Sequence, residues 1–83
     1  MDYAELGSQL ASLRRSQGYS QAWLALHAGV SRVTVNSFET NRSNDVGLRK
    51  VLKMFACLGM ELATRERSPF PTLDELRTEH AHD

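Results

Sequence analysis

The chain has 83 residues, ten basic and ten acidic, with 41% hydrophobic residues and a single cysteine. That length bounds it to one small domain whose core is near the lower limit of self-sufficiency, so a dimer interface is expected to supplement it. No apolar run approaches the ~20 residues that span a bilayer, Met1 to Glu5 carry neither a basic region nor an apolar block, and Cys57 has no partner. A soluble protein with no secretory signal, no internal disulfide and a reducing, cytoplasmic setting is therefore expected.

Zero net charge alone argues against a nucleic-acid partner, but the charges are segregated. Residues 14–53 hold Arg14, Arg15, Arg32, Arg42, Arg49, Lys50 and Lys53 against Glu39 and Asp45, seven basic against two acidic, a surplus of five. The last thirty residues hold three arginines against six carboxylates, a deficit of three. A basic centre suits phosphate contact, while the acidic end should point elsewhere.

In chain order, Asp2 and Glu5 form a capping pair, and Leu6, Leu10 and Leu13 recur at i, i+4 and i+7. A first helix is predicted from about Tyr3 to Gln17. Arg14 and Arg15 fall in its last turn, where cations stabilise the negative end of the dipole, and Gly18 closes it. Tyr19 precedes a Ser20 N-cap, and Trp23 is expected at the edge of the core.

Residues 20–39 then read as two short helices broken by one turn. Leu24, Ala25 and Ala28 make one apolar face, and Gly29 is suited to the left-handed conformation that stops a helix. Ser31 supplies a second N-cap, after which Val35 and Phe38 point inward and Arg32, Val33, Asn36 and Ser37 are left outside. Small Ala25 and Gly29 are expected to let two steeply crossed helices approach closely, as in a helix-turn-helix.

This stretch resembles the Xre or Cro/repressor-type family. The resemblance is carried by Gln21, Leu24-Ala25, Gly29-Val30-Ser31, Thr34-Val35 and Glu39. It implies an all-α, lambda-repressor-like bundle of four to five helices that binds double-stranded DNA at a palindromic operator as a homodimer and acts as a transcriptional repressor. Arg32, Val33, Asn36 and Ser37 would read base edges, and Gln21, Thr34, Asn41 and Arg42 would contact phosphates. Arg32 can offer two donors to guanine, and Val33 can pack on a thymine methyl.

After Glu39, the polar segment from Thr40 to Asp45 is a turn. Asp45 is expected to cap a further helix with the stripe Leu48, Val51, Leu52, Phe55 and Leu58, and Cys57 beside it as a packing residue. Gly59 ends that helix, and Met60, Leu62 and Thr64 then alternate on one side of a short strand. A lone strand leaves a row of unpaired backbone groups, so pairing with the same strand of a second copy is expected. Phe55, Leu58, Met60, Leu62 and Thr64 are accordingly the candidate dimerisation residues.

This layout, with the runs Asn36 to Asn41 and Lys53 to Leu62, is similar to the HipB-like antitoxin branch. That resemblance implies a type II toxin-antitoxin role, in which the protein autoregulates its operon and restrains a HipA-like kinase toxin. The alternative is a free-standing Xre-family regulator with no toxin partner.

Residues 1–65 therefore read as the DNA-binding and dimerisation domain, and residues 66–83 as a flexible acidic tail. Pro69 and Pro71 break regular structure, and Thr72 with Glu75 forms a capping box ahead of only two apolar residues, Leu73 and Leu76. His80, His82 and Asp83 resemble a metal site in composition but lack a third fixed ligand, so no metal is expected. No Gly-rich phosphate loop, Cys/His pair at nucleophile-base spacing or paired carboxylates appear, and His27 has no acid or nucleophile beside it; neither an enzyme nor a cofactor is predicted.

Overall fold

A computed structural model describes residues 2–42 and 45–64. The described residues form four α-helices: α1 (Tyr3–Ser16), α2 (Gln21–Ala28), α3 (Arg32–Glu39) and α4 (Leu48–Cys57). Readings that concern Arg65, the segment 66–83, its capping box and its histidines lie outside the described residues.

Local chemistry sets the helix starts. Asp2 accepts from the Glu5 N–H at 2.8 Å, Ser20 from Trp23 N–H at 3.0 Å and Ser31 from Thr34 N–H at 3.0 Å. Each thereby satisfies one of the donors a helix leaves unpaired at its first turn. The helix ends share one device. The N–H groups of Tyr19, Val30, Arg42 and Met60 bond back to the carbonyls of Arg14, Ala25, Ser37 and Phe55, five residues earlier. In each case the preceding residue is left-handed: Gly18, Gly29, Asn41 (φ 56°) and Gly59.

Leu10, Leu24, Val35, Phe38 and Met54 are fully buried, with Val51, Phe55 and Leu58 beside them. α3 packs against α1 and α2, and α2 also packs against α4. At the α1–α3 crossing, a Cβ on Gly7 would collide with the Phe38 carbonyl oxygen. The close backbone approach expected at Gly29 is thus found at Gly7; nothing lies within 4 Å of a Cβ placed on Gly29, whose requirement is its positive φ alone. Two polar ties close the bundle: Val46 N–H donates to the Tyr3 hydroxyl at 2.8 Å, and Gln17 Nε2 donates to the Leu58 carbonyl at 2.9 Å.

Two further expectations are revised. Asp45 does not cap α4: it accepts from Gly47 N–H in a local turn at 2.8 Å, and Gly47, at φ 95°, occupies the N-cap position. The core stripe of α4 is Val51, Met54, Phe55 and Leu58, whereas Leu48 and Leu52 are 68% and 41% exposed. Leu48 and Leu52, four residues apart, share one flank of α4 beside the face that Val51, Met54, Phe55 and Leu58 turn to the core, so neither leucine reaches it. Residues 60–64 are irregular in the single chain, and the Met60 N–H closes α4.

Candidate nucleic-acid interface

The outward face of α3 follows from its inward face. With Val35, Phe38 and Glu39 buried, the helical repeat turns Arg32, Val33 and Asn36 to solvent. Val33 is 73% exposed, a β-branched apolar side chain that the core of the described residues does not take up. Gln21, from the first turn of α2, joins Arg32, Val33 and Asn36 in lining a shallow groove. Ser37 is half-buried at the edge of this face.

The remaining predicted contacts lie around it. Thr34 is half-buried, its hydroxyl 2.8 Å from the Ser31 hydroxyl at the start of α3. Asn41 and Arg42 are exposed just past the end of α3. Asn41 carries a structural duty that the sequence reading did not assign, since it adopts the left-handed conformation that terminates the helix. Among the predicted dimerisation residues, Phe55 and Leu58 are buried in the chain's own core, Leu62 is half-buried, and Met60 and Thr64 are exposed.

Beneath this outer face of α3 runs a polar network invisible to local patterns. Arg14 Nε and Nη2 donate to Glu39 Oε2 and Oε1 at 2.7 and 2.8 Å, while Nη1 donates to the Tyr19 carbonyl at 2.8 Å. The two side chains are 9% and 1% exposed. Gln21 Nε2 also donates to Glu39 Oε1 at 3.0 Å and to Asn36 Oδ1 at 3.3 Å. Burial alone would push the Glu39 carboxyl up, but the hydrogen bonds from Arg14 and Gln21, with the charges of Arg14 and Arg15, outweigh it and hold it below the ordinary carboxylate value. Glu39 in turn raises the Arg14 guanidinium above its ordinary value, chiefly through their hydrogen bonds.

Arg14 is therefore neutralised inside the protein and belongs to the fold. Removing it together with Glu39 leaves the basic surplus unchanged, and Arg15, Arg32, Arg42, Arg49, Lys50 and Lys53 are all exposed. Next to the helix pair, Tyr19 stacks on Trp23 at 3.7 Å and Trp23 on His27 at 4.1 Å between ring centroids, which places the tryptophan half-buried at the core edge. Among the described residues no group of three His, Cys, Asp or Glu is placed to hold a metal, and no helix is long and apolar enough to cross a membrane.

A capped helix, a left-handed glycine turn and a second capped helix with a solvent-facing polar side, set in a small bundle, define a helix-turn-helix DNA-binding transcriptional regulator. The chain belongs to the helix-turn-helix domain family, whose model matches residues 5–67. It is similar to the solved structure of the restriction-modification controller protein C.AhdI from Aeromonas hydrophila. The two share 33% identity with a TM-score of 0.66, over 72% of this chain and 89% of that one. No curated protein matches the chain.

Proposed function

We propose that the protein is a sequence-specific repressor that binds a palindromic operator as a homodimer. The observation that carries this reading is the split of α3: Val35, Phe38 and Glu39 fix the helix from inside, and Arg32, Val33 and Asn36 are exposed outside, with Arg42 exposed just past the helix end. Arg32, Val33, Asn36 and Ser37 read bases, with Thr34, Asn41 and Arg42 near the backbone. Dimerisation is supported by the apolar side chains left exposed at Leu48, Leu52 and Met60, and by the irregular backbone of residues 61–64, which a second copy could pair with across a two-fold axis.

Selection from randomised duplexes tests this. An inverted repeat with half-sites centred about 10 base pairs apart is expected, along with loss of tight binding when about half a helical turn is inserted between them. Arg32→Ala should cost about 1–3 kcal/mol and relax one base pair per half-site, whereas Arg42→Ala should weaken all sequences alike and flatten the salt dependence. Equal losses for Arg32→Ala on operator and random DNA would remove its base-reading role.

Two finer readings differ in the genes controlled. Similarity to a restriction-modification controller, spanning most of that protein, favours a regulator of a restriction-modification locus. The HipB-like reading, an antitoxin that restrains a HipA-like kinase toxin, rests on the shorter runs 36–41 and 53–62. Co-purification with a kinase encoded beside the gene supports the antitoxin. An operator upstream of a methyltransferase or endonuclease gene, with no kinase complex, supports the controller.

A further inference from the structure

The amide groups on the reading face are oriented by a chain that begins at a buried charge. Glu39 is a carboxylate with acceptors alone, and Arg14 donates to both of its oxygens. Gln21 meets Glu39 Oε1 at 3.0 Å, so the Gln21 atom there must be the amide nitrogen; flipping that amide would set oxygen against oxygen. The same nitrogen has one hydrogen left, and it reaches Asn36 at 3.3 Å. The atom that accepts it must be Oδ1, which fixes the Asn36 amide as well. Among the described residues nothing else bonds the Asn36 side chain, so its Nδ2, with two hydrogens, is the group left for a ligand on the exposed side of α3.

We infer that the relay from Arg14 through Glu39 and Gln21 sets the polarity of Asn36, so that Asn36 presents a donor to the major groove and selects a guanine edge. Gln21 is then a positioning residue rather than a phosphate contact. The inference rests on the operator-binding reading above. A free asparagine pairs with adenine in a bidentate manner, accepting from N6 through its oxygen and donating to N7 through its nitrogen. Here the oxygen is turned toward α2, and adenine N6 would confront the Asn36 N–H groups donor to donor. Guanine offers two adjacent acceptors, N7 and O6, to the same nitrogen.

The test uses the full chain in selection from randomised duplexes, with Asn36→Ala marking the base pair whose preference depends on Asn36. Wild type should enrich G·C at that pair. Gln21→Ala should shift the preference there toward A·T by about threefold or more, the scale of one neutral hydrogen bond. Replacing the selected guanine with 7-deazaguanine should weaken wild-type binding by a similar factor and leave Asn36→Ala unaffected, a measurement that needs no variant at Gln21. Enrichment of A·T by wild type overturns the inference. So does an Asn36→Ala variant that alters no position, or a Gln21→Ala variant that weakens all sequences equally. Failure of wild type to enrich any sequence instead overturns the operator-binding reading itself.

Discussion

Removing the Glu39 carboxylate should unfold much of the protein's margin. In Glu39→Ala the Arg14 side chain, 9% exposed in the native protein, loses its counter-charge, and Gln21 loses its carboxylate acceptor. Breaking a buried pair by deleting one partner costs about 3–5 kcal/mol, against about 0–1 for an exposed pair. At roughly 0.05–0.15 kcal/mol per residue, a chain of 83 residues has about 4–12 kcal/mol in all. The loss is therefore a quarter of the total or more, and the melting temperature should fall by roughly 12 °C at least. Urea unfolding followed by Trp23 fluorescence and by circular dichroism measures it. The double variant Arg14→Met with Glu39→Leu removes both charges together and should be more stable than Glu39→Ala, because no unpaired charge stays inside. A single-variant cost below about 1 kcal/mol, or a double variant whose loss equals the sum of the two singles, would refute the reasoning.

Three other expectations follow from the same geometry. Glu39 holds its carboxyl below the ordinary value of about 4.3, so between the two values the unfolded chain binds more protons and stability rises with pH; the contribution is complete above the unfolded value and is lost as pH falls through the folded one, and Glu39→Gln should reduce that acid-side slope. Gly7→Ala places a methyl against the Phe38 carbonyl, and although alanine favours the helix by about 1 kcal/mol, overpacking should leave a net loss, read as a lower urea midpoint. Asn41→Gly should keep full stability and Asn41→Ala should cost about 1–2 kcal/mol by thermal melting, because the position needs a left-handed backbone; retained DNA affinity in Asn41→Gly would assign Asn41 to helix termination rather than to phosphate.

What the sequence made legible was local. Ser20, Ser31 and Asp2 each act on an N–H three residues ahead, and Gly18, Gly29 and Gly59 each end the helix just before them, so adjacent residues sufficed to place the elements. The inward pair Val35 and Phe38 followed from the helical repeat. What stayed hidden was long-range. Arg14 and Glu39 are 25 residues apart and Gln21 and Asn36 are 15 apart, with no spacing rule to join them. Gly7 looked like an ordinary helix residue because its constraint comes from a different helix. Leu48 and Leu52 fitted an apolar stripe, yet periodicity cannot tell a face covered by the chain's own core from one left open. Asp45 had the right chemistry for a cap, but the glycine two residues later delayed the helix.

This division between local and long-range bears on how such a protein changes its target. α3 has eight residues, too few to be stable alone, so its position depends on Ser31, Asn41 and the inward trio Val35, Phe38 and Glu39. Arg32 and Val33 contribute nothing to that support, and substitutions there should alter recognition at little cost in stability. Asn36 is different, because it is tied through Gln21 to the buried carboxylate on which the fold also depends. The outer face of α3 therefore has two kinds of position, one free to vary and one whose donor or acceptor character is dictated from the core. On the operator-binding reading proposed above, a change of preference at the base pair facing Asn36 requires a change at Asn36, or a change in the network beneath it and the stability it supports.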